Sequence, residues 1–420
     1  MQFQSINPYT EKFLQSYDPI SFDTLKTVLN SAEVAFRNWK AINIKEKLEF
    51  LEVIRDSLVL NKEKCSNMIS NEMGKVLKES ESEIDKCVWL CDYYLENSKN
   101  FLIDRIIPTD SSSSYVKYEP LGIILGVMPW NFPFWQVFRF AIPSMLIGNV
   151  VVLKHAPNVI GCSILINDIF NRSGIPKNVF NNIIIENKNV EKLIASDQVR
   201  GVSFTGSDTT GKIIGGMAGK NLKPMVLELG GSDPFIVFDD AVVDDCVEGA
   251  ISSRFLNSGQ SCIAAKRFII HNRVYDDFKS KIVERVEKLK VGNPLSIKSD
   301  IGPLARKDLV ENINCQVSLS IDKGAKLVFR KNIPRGGFFF GPTVLENVEE
   351  GMPVFDQEVF GPILSLMRFN NTEEAISLAN KSMYGLGASV WSACDLTIDR
   401  MIRSIESGMV FVNEFTKSDP

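Results

Sequence analysis

The sequence predicts an α/β protein with two sheet-containing domains. Three observations carry that expectation. From Leu121 onward, short apolar runs alternate with helical stretches, the pattern of parallel strands covered by helices on both faces. The chain has 420 residues, long for a single hydrophobic core, so two or three domains are expected. Its 45% hydrophobic and 23% charged residues are those of an ordinary folded protein.

The elements follow in order. Helical periodicity and dense mixed charge from Thr24 to Asn100 predict a helical N-terminal layer, in which Cys87 and Cys91, spaced i, i+4, face the core. Asp110 followed by four serines, flanked by Phe101 to Ile103 and Tyr115 to Tyr118, predicts the turn of an exposed hairpin, with a simple linker as the alternative. Apolar runs at Gly122 to Val127, Val150 to Leu153, Asn182 to Ile185, Gly201 to Phe204 and Pro224 to Leu229 predict a first parallel sheet. Nucleotides often bind at the C-terminal strand ends of such sheets. A second series, Pro234 to Phe238, Lys266 to Ile270, Lys326 to Phe329 and Ile363 to Met367, predicts a second α/β unit, with Gly230-Gly231 as a hinge between the two.

Composition excludes several functions. A formal charge of −4 supplies no basic field for nucleic acid. No apolar run approaches the ~18 residues of a membrane span, and the N-terminus lacks a signal-peptide pattern, so a cytoplasmic protein is expected. Eight cysteines without Cys-x-x-Cys pairs and only two histidines, His155 and His271, predict neither a disulfide framework nor a metal site.

The chemistry-bearing runs lie at the predicted strand ends. Asn257-Ser258-Gly259-Gln260-Ser261-Cys262 places one thiol after a polar, glycine-containing loop, 34 residues beyond Leu227-Glu228-Leu229-Gly230-Gly231-Ser232. A thiol attacks as its thiolate, so a nearby base makes it useful at neutral pH. Met128-Pro129-Trp130-Asn131-Phe132-Pro133 closes the first strand, where a fixed Asn131 can donate to a developing oxyanion, although alone it reads as a turn residue. Lys154 ends the next strand with a cation, and Phe204-Thr205-Gly206-Ser207 opens a helix N-terminus suited to a pyrophosphate. No Gly-x-Gly-x-x-Gly loop stands at these positions, so a dinucleotide would bind without that fingerprint.

Together these residues resemble one family, the aldehyde dehydrogenases. Met128 to Pro133, Lys154, Phe204 to Ser207, Glu228 to Gly231, Gly259 to Cys262 and Glu358-Val359-Phe360-Gly361-Pro362 match its signatures in order. The resemblance implies a Rossmann-like dinucleotide-binding domain (residues 1–100 and 121–230), a protruding oligomerisation hairpin (101–120) and an α/β catalytic domain (231–420). It implies Cys262 as nucleophile, Glu228 as general base and Asn131 as oxyanion donor. Trp130, Lys154, Pro157, Gly206, Ser207, Leu229, Glu358 and Phe360 are implied at the cofactor, with Glu358 on the nicotinamide ribose and Phe360 beside the nicotinamide. The implied reaction is oxidation of an aldehyde to an acid through a cysteine thioester.

Trp135 and Arg139 are spaced i, i+4 on the next predicted helix, and a guanidinium there suits an aldehyde with a distal carboxylate. This segment and Lys417-Ser418-Asp419-Pro420 resemble the succinate-semialdehyde branch, where Trp135, Arg139 and Ser418 would hold the carboxylate. The alternative for Arg139 is an ion-pair partner on a packed helix. Members that select NAD often carry a Glu where this chain has Pro157, so NADP is expected, with NAD as a second cofactor. The family pattern implies a further strand after Pro420 that joins a partner subunit. Because the sequence stops there, a weakened homo-oligomer is expected, and the alternatives are another aldehyde substrate or a folded but inactive binding protein.

Overall fold

The computed structural model describes residues 2–420. Four helices, Phe22–Trp39, Ile44–Leu60, Lys62–Met73 and Leu77–Phe101, form the N-terminal layer. The first two begin where a side chain satisfies free N–H groups: Ser21 accepts from the Thr24 N–H and Asn43 from the Glu46 N–H. The first buries Leu25, Leu29, Ala32, Ala35 and Trp39, a stripe at helical spacing. Cys87 and Cys91 are fully buried in the same core.

That layer packs on a five-stranded parallel sheet in the order Phe180–Asn182, Val150–His155, Ile123–Met128, Val199–Thr205, Met225–Glu228. The register matters for the site. Val127 lies opposite Lys154 and Phe204, Met128 opposite His155, and Thr205 opposite Glu228, so the motif-bearing strand ends stand in one row. A seven-stranded sheet follows, in the order Lys326–Arg330, Thr343–Glu346, Ile363–Phe369, Ala265–His271, Asp233–Val237, Gly387–Trp391, Met409–Val412. Apolar cores cover both its faces.

The structure departs from the sequence expectation in four places. A two-stranded hairpin, Phe3–Ile6 with Phe13–Tyr17, precedes the helices. The second sheet gains Thr343–Glu346, Gly387–Trp391 and Met409–Val412, and its edge pair, Lys326–Arg330 with Thr343–Glu346, is antiparallel. The run expected at Asn182 to Ile185 pairs only over Phe180–Asn182; Ile183 and Ile185 are apolar because they are buried, 2% exposed each, beyond the strand end. In the 101–120 segment only Arg105–Ile106 and Tyr115–Val116 pair, because Phe101 is still the last residue of the preceding helix.

Candidate active site

The Cys262 loop is held in a costly conformation. Asn257 and Ser258 have φ of 54° and 53°, the left-handed region that non-glycine residues seldom adopt. Local bonds fix both. The Asn257 N–H donates to the Glu79 carboxylate at 3.0 Å, its side-chain amide donates to the Asn131 carbonyl at 2.8 Å, and the Ser258 hydroxyl donates to the Gly302 carbonyl at 3.0 Å. Gly259, at φ 76°, completes the turn; a Cβ there would stand 2.4 Å from the Gly361 backbone. The fully buried Arg254 ties these segments, donating to the Gly259 and Gly361 carbonyls at 2.7 Å each. Burial lowers its guanidinium to about 9.

Asn131 meets this loop directly: its side-chain amide donates to the Gln260 carbonyl at 3.1 Å. His155 supports the same segment. Its Nδ1 accepts the Ala156 N–H at 2.8 Å, so its Nε2 carries the proton and donates to the Pro133 carbonyl at 2.9 Å. Burial holds the imidazole down at about 4, which leaves it neutral and structural.

Lys266 joins Cys262 to Glu358. Its buried ammonium donates to the Ser261 and Cys262 carbonyls at 2.9 and 2.6 Å and lies 3.7 Å from Glu358, whose other partner is the Gly231 N–H at 3.0 Å. Close backbone approach is required there, since a Cβ on Gly230 would meet the Glu358 carboxylate at 2.5 Å. Desolvation pushes the Cys262 thiol up to about 11, and the Lys266 charge works against that rise.

Cys262 and Asn131 open into a cavity of about 660 Å³ that also receives Trp130, Lys154, Pro157, Gly206, Ser207, Leu229, Glu358 and Phe360, so the eight residues expected at a cofactor share one wall system. Trp130 and Phe360 meet edge to face at 5.7 Å, and Arg306, not anticipated, lies over Trp130 at 5.5 Å. Lys154 is 7% exposed and has no salt bridge among the described residues; desolvation lowers its ammonium to about 8. Ser207 caps the helix Asp208–Lys220 by accepting the Thr210 N–H, so a helix N-terminus faces the same space. Among the described residues that line the cavity, Glu358 is the one carboxylate, against two cations, Lys154 and Arg306. These groups fit a phosphorylated dinucleotide.

Two expected contacts differ. Arg139 lies 3.4 Å from Glu228, and this pair lines an adjoining cavity of about 530 Å³, with Gln136 reaching both spaces. In this arrangement Glu228 pairs with Arg139, a carboxylate of the strand Met225–Glu228 against a guanidinium of the helix Trp135–Leu146. Ser418 accepts from Lys86 at 2.7 Å, a lysine that no sequence motif marks, and Lys86 stands 4.3 Å over the Trp135 ring. Glu83, one turn earlier on the same helix, accepts the Phe134 and Trp135 N–H groups at 2.8 and 3.0 Å.

A single thiol, a fixed asparagine amide and a dinucleotide-compatible cavity, set between two α/β sheets, define a thiol-dependent dehydrogenase. The sequence pattern of the aldehyde dehydrogenase family matches residues 1–420, and the chain belongs to that family. It is 39% identical over 421 residues to a probable succinate-semialdehyde dehydrogenase [NADP(+)] of Synechocystis sp., covering 100% of this chain and 93% of that protein. It is 38% identical over 428 residues to succinate-semialdehyde dehydrogenase [NADP(+)] 1 of Mycobacterium bovis, with 100% and 93% coverage. The crystal structure of succinic semialdehyde dehydrogenase from Streptococcus pyogenes, in complex with NADP+, superposes with a TM-score of 0.97 at 33% identity, covering 100% of this chain and 92% of that one.

Proposed function

We propose that this protein oxidises succinate semialdehyde to succinate with NADP, through a thioester on Cys262. The observation that carries the reading is one cavity lined by both Cys262 and the buried ammonium of Lys154, which has no ion-pair partner among the described residues. Bound there, the dinucleotide supplies the hydride acceptor. Lys154 attracts a 2′-phosphate, and with Pro157 in place of a carboxylate no charge at that position repels it.

Arg139 takes the substrate carboxylate, and Glu228, released from that guanidinium, becomes the base. Glu228 takes the Cys262 thiol proton and passes it to solvent, the thiolate sulfur bonds to the aldehyde carbon, and the carbonyl oxygen gains the electron pair of the C=O π bond and accepts the Asn131 amide N–H. After oxidation, Glu228 removes a proton from water, the water oxygen bonds to the thioester carbon, and the C–S bond breaks to return the Cys262 thiolate. The eight free cysteines suit a reducing, cytoplasmic setting, and assembly as a homo-oligomer through the hairpin at 101–120 completes the reading.

The test is reduced-cofactor absorbance with succinate semialdehyde and, in parallel, butanal, each with NADP and NAD. A kcat/KM for succinate semialdehyde no higher than that for butanal would remove the substrate assignment.

A further inference from the structure

The described structure leaves one half-buried cation beside the expected carboxylate site without an anionic partner. Lys86, on the helix Leu77–Phe101, makes no salt bridge among the described residues; its polar partner is the neutral Ser418 hydroxyl at 2.7 Å. Asp419 stabilises the ammonium from beyond ion-pair distance, while Arg139 is close enough to repel it. The ammonium also lies 4.3 Å over the Trp135 ring.

The position is rigid. Glu83, three residues before Lys86, binds the Phe134 and Trp135 N–H groups and forms a buried ion pair with Lys75, which fixes this turn of helix against the start of the helix Trp135–Leu146. Arg139 follows Trp135 by one turn. Lys86 and Arg139 are like charges near enough to repel, and an anion between them would relieve that repulsion, since a carboxylate has two oxygens to share.

We propose that Lys86 is a second cationic contact for the substrate's distal carboxylate, acting with Arg139 and oriented by Ser418 and Trp135. This rests on the reading of the substrate as an aldehyde acid. The division of labour is chemical: a guanidinium grips both oxygens in its plane, whereas an ammonium is a point charge that tolerates a swing of the carboxylate. Lys86 therefore sets affinity and selectivity, and leaves the chemistry at Cys262 alone.

The experiment compares Lys86→Met, Lys86→Gln and Lys86→Arg with the parent protein, using succinate semialdehyde and butanal with NADP. The expected result is a KM for succinate semialdehyde raised about 10-fold or more in the Met and Gln variants, with kcat within about 3-fold, butanal kinetics unchanged, and substantial rescue by Arg. Equal losses on both aldehydes, or no change on either, would overturn the assignment. A measurement on the unaltered protein guards against misfolding of the variants: millimolar succinate should slow amine-directed modification of Lys86, read by peptide mass, and unchanged labelling counts against the proposal. Arg139→Ala separates the two levels. If it loses succinate semialdehyde selectively and the Lys86 variants do not, only the Lys86 assignment falls; if the parent shows no preference for succinate semialdehyde over butanal, the reading of the substrate falls, and this inference with it.

Discussion

At the scale of single residues, the site separates a reacting group from the groups that hold it. Cys262→Ala is expected to abolish aldehyde oxidation while leaving dinucleotide binding nearly intact, as measured by fluorescence titration, because the thiol bonds to substrate alone. Asn131→Ala removes one oxyanion donor and is expected to lower kcat about 10²–10³-fold with little change in KM. Lys154 gives a pH dependence with a definite sign. Its ammonium is lowered to about 8, so the charge proposed to attract a 2′-phosphate is lost as pH rises through that value. The Kd for NADP should therefore increase from about pH 7 to about pH 10 more steeply than that for NAD; parallel curves would take Lys154 away from the phosphate. Cys262, Asn131 and Lys154 were legible as candidates because each stands in a short run at a predicted strand end or polar loop, whereas Glu358 came only from the resemblance to the family. Lys86, Lys266, Arg254 and Arg306 were not, since a lysine or arginine in a helix or strand looks the same whether it meets solvent or a site 332 residues away, as Lys86 meets Ser418.

At the scale of elements, two helices share one joint. Glu83 of the helix Leu77–Phe101 satisfies the free N–H groups at the start of the helix Trp135–Leu146, and the Phe134 position offers no side-chain cap of its own. The same carboxylate is 1% exposed and paired with the fully buried Lys75. Removing one partner strands the other, so Glu83→Ala should destabilise the protein by about 3–5 kcal/mol in urea denaturation. A loss below about 1 kcal/mol would show that the joint is held by apolar packing instead. The consequence for function lies one turn further along, at Trp135 and Arg139. Arg139→Ala should reduce kcat/KM for succinate semialdehyde far more than for butanal, since losing a desolvated charge pair costs about 2–5 kcal/mol. Equal reductions would make Arg139 a partner of Glu228 alone. The helix periodicity placed Trp135 and Arg139 on one face. It could not place Glu228 against Arg139, because that contact depends on the crossing of a helix and a strand distant in sequence.

At the scale of the molecule, the hairpin between the N-terminal helical layer and the first sheet has few contacts of its own. The hairpin pairs only Arg105–Ile106 with Tyr115–Val116, far short of what a lone two-stranded ribbon needs to hold its shape in water. Yet it presents Ile103, Ile106, Tyr115, Val116 and Tyr118, with Ile106 79% exposed. Apolar side chains clustered on a projecting element are the mark of a surface that a partner covers. A second copy of the chain is the occupant we infer, because backbone groups along a ribbon edge readily add to a neighbouring sheet. Replacing Ile106 and Tyr115 together by Asp should then lower the assembly state seen by sedimentation across a dilution series. It should leave the circular dichroism of the helical layer and both sheets unchanged, since neither residue contributes to the buried cores. Should the parent sediment as a monomer at micromolar concentration, or the double variant keep the parent's mass, the hairpin is not what joins the subunits.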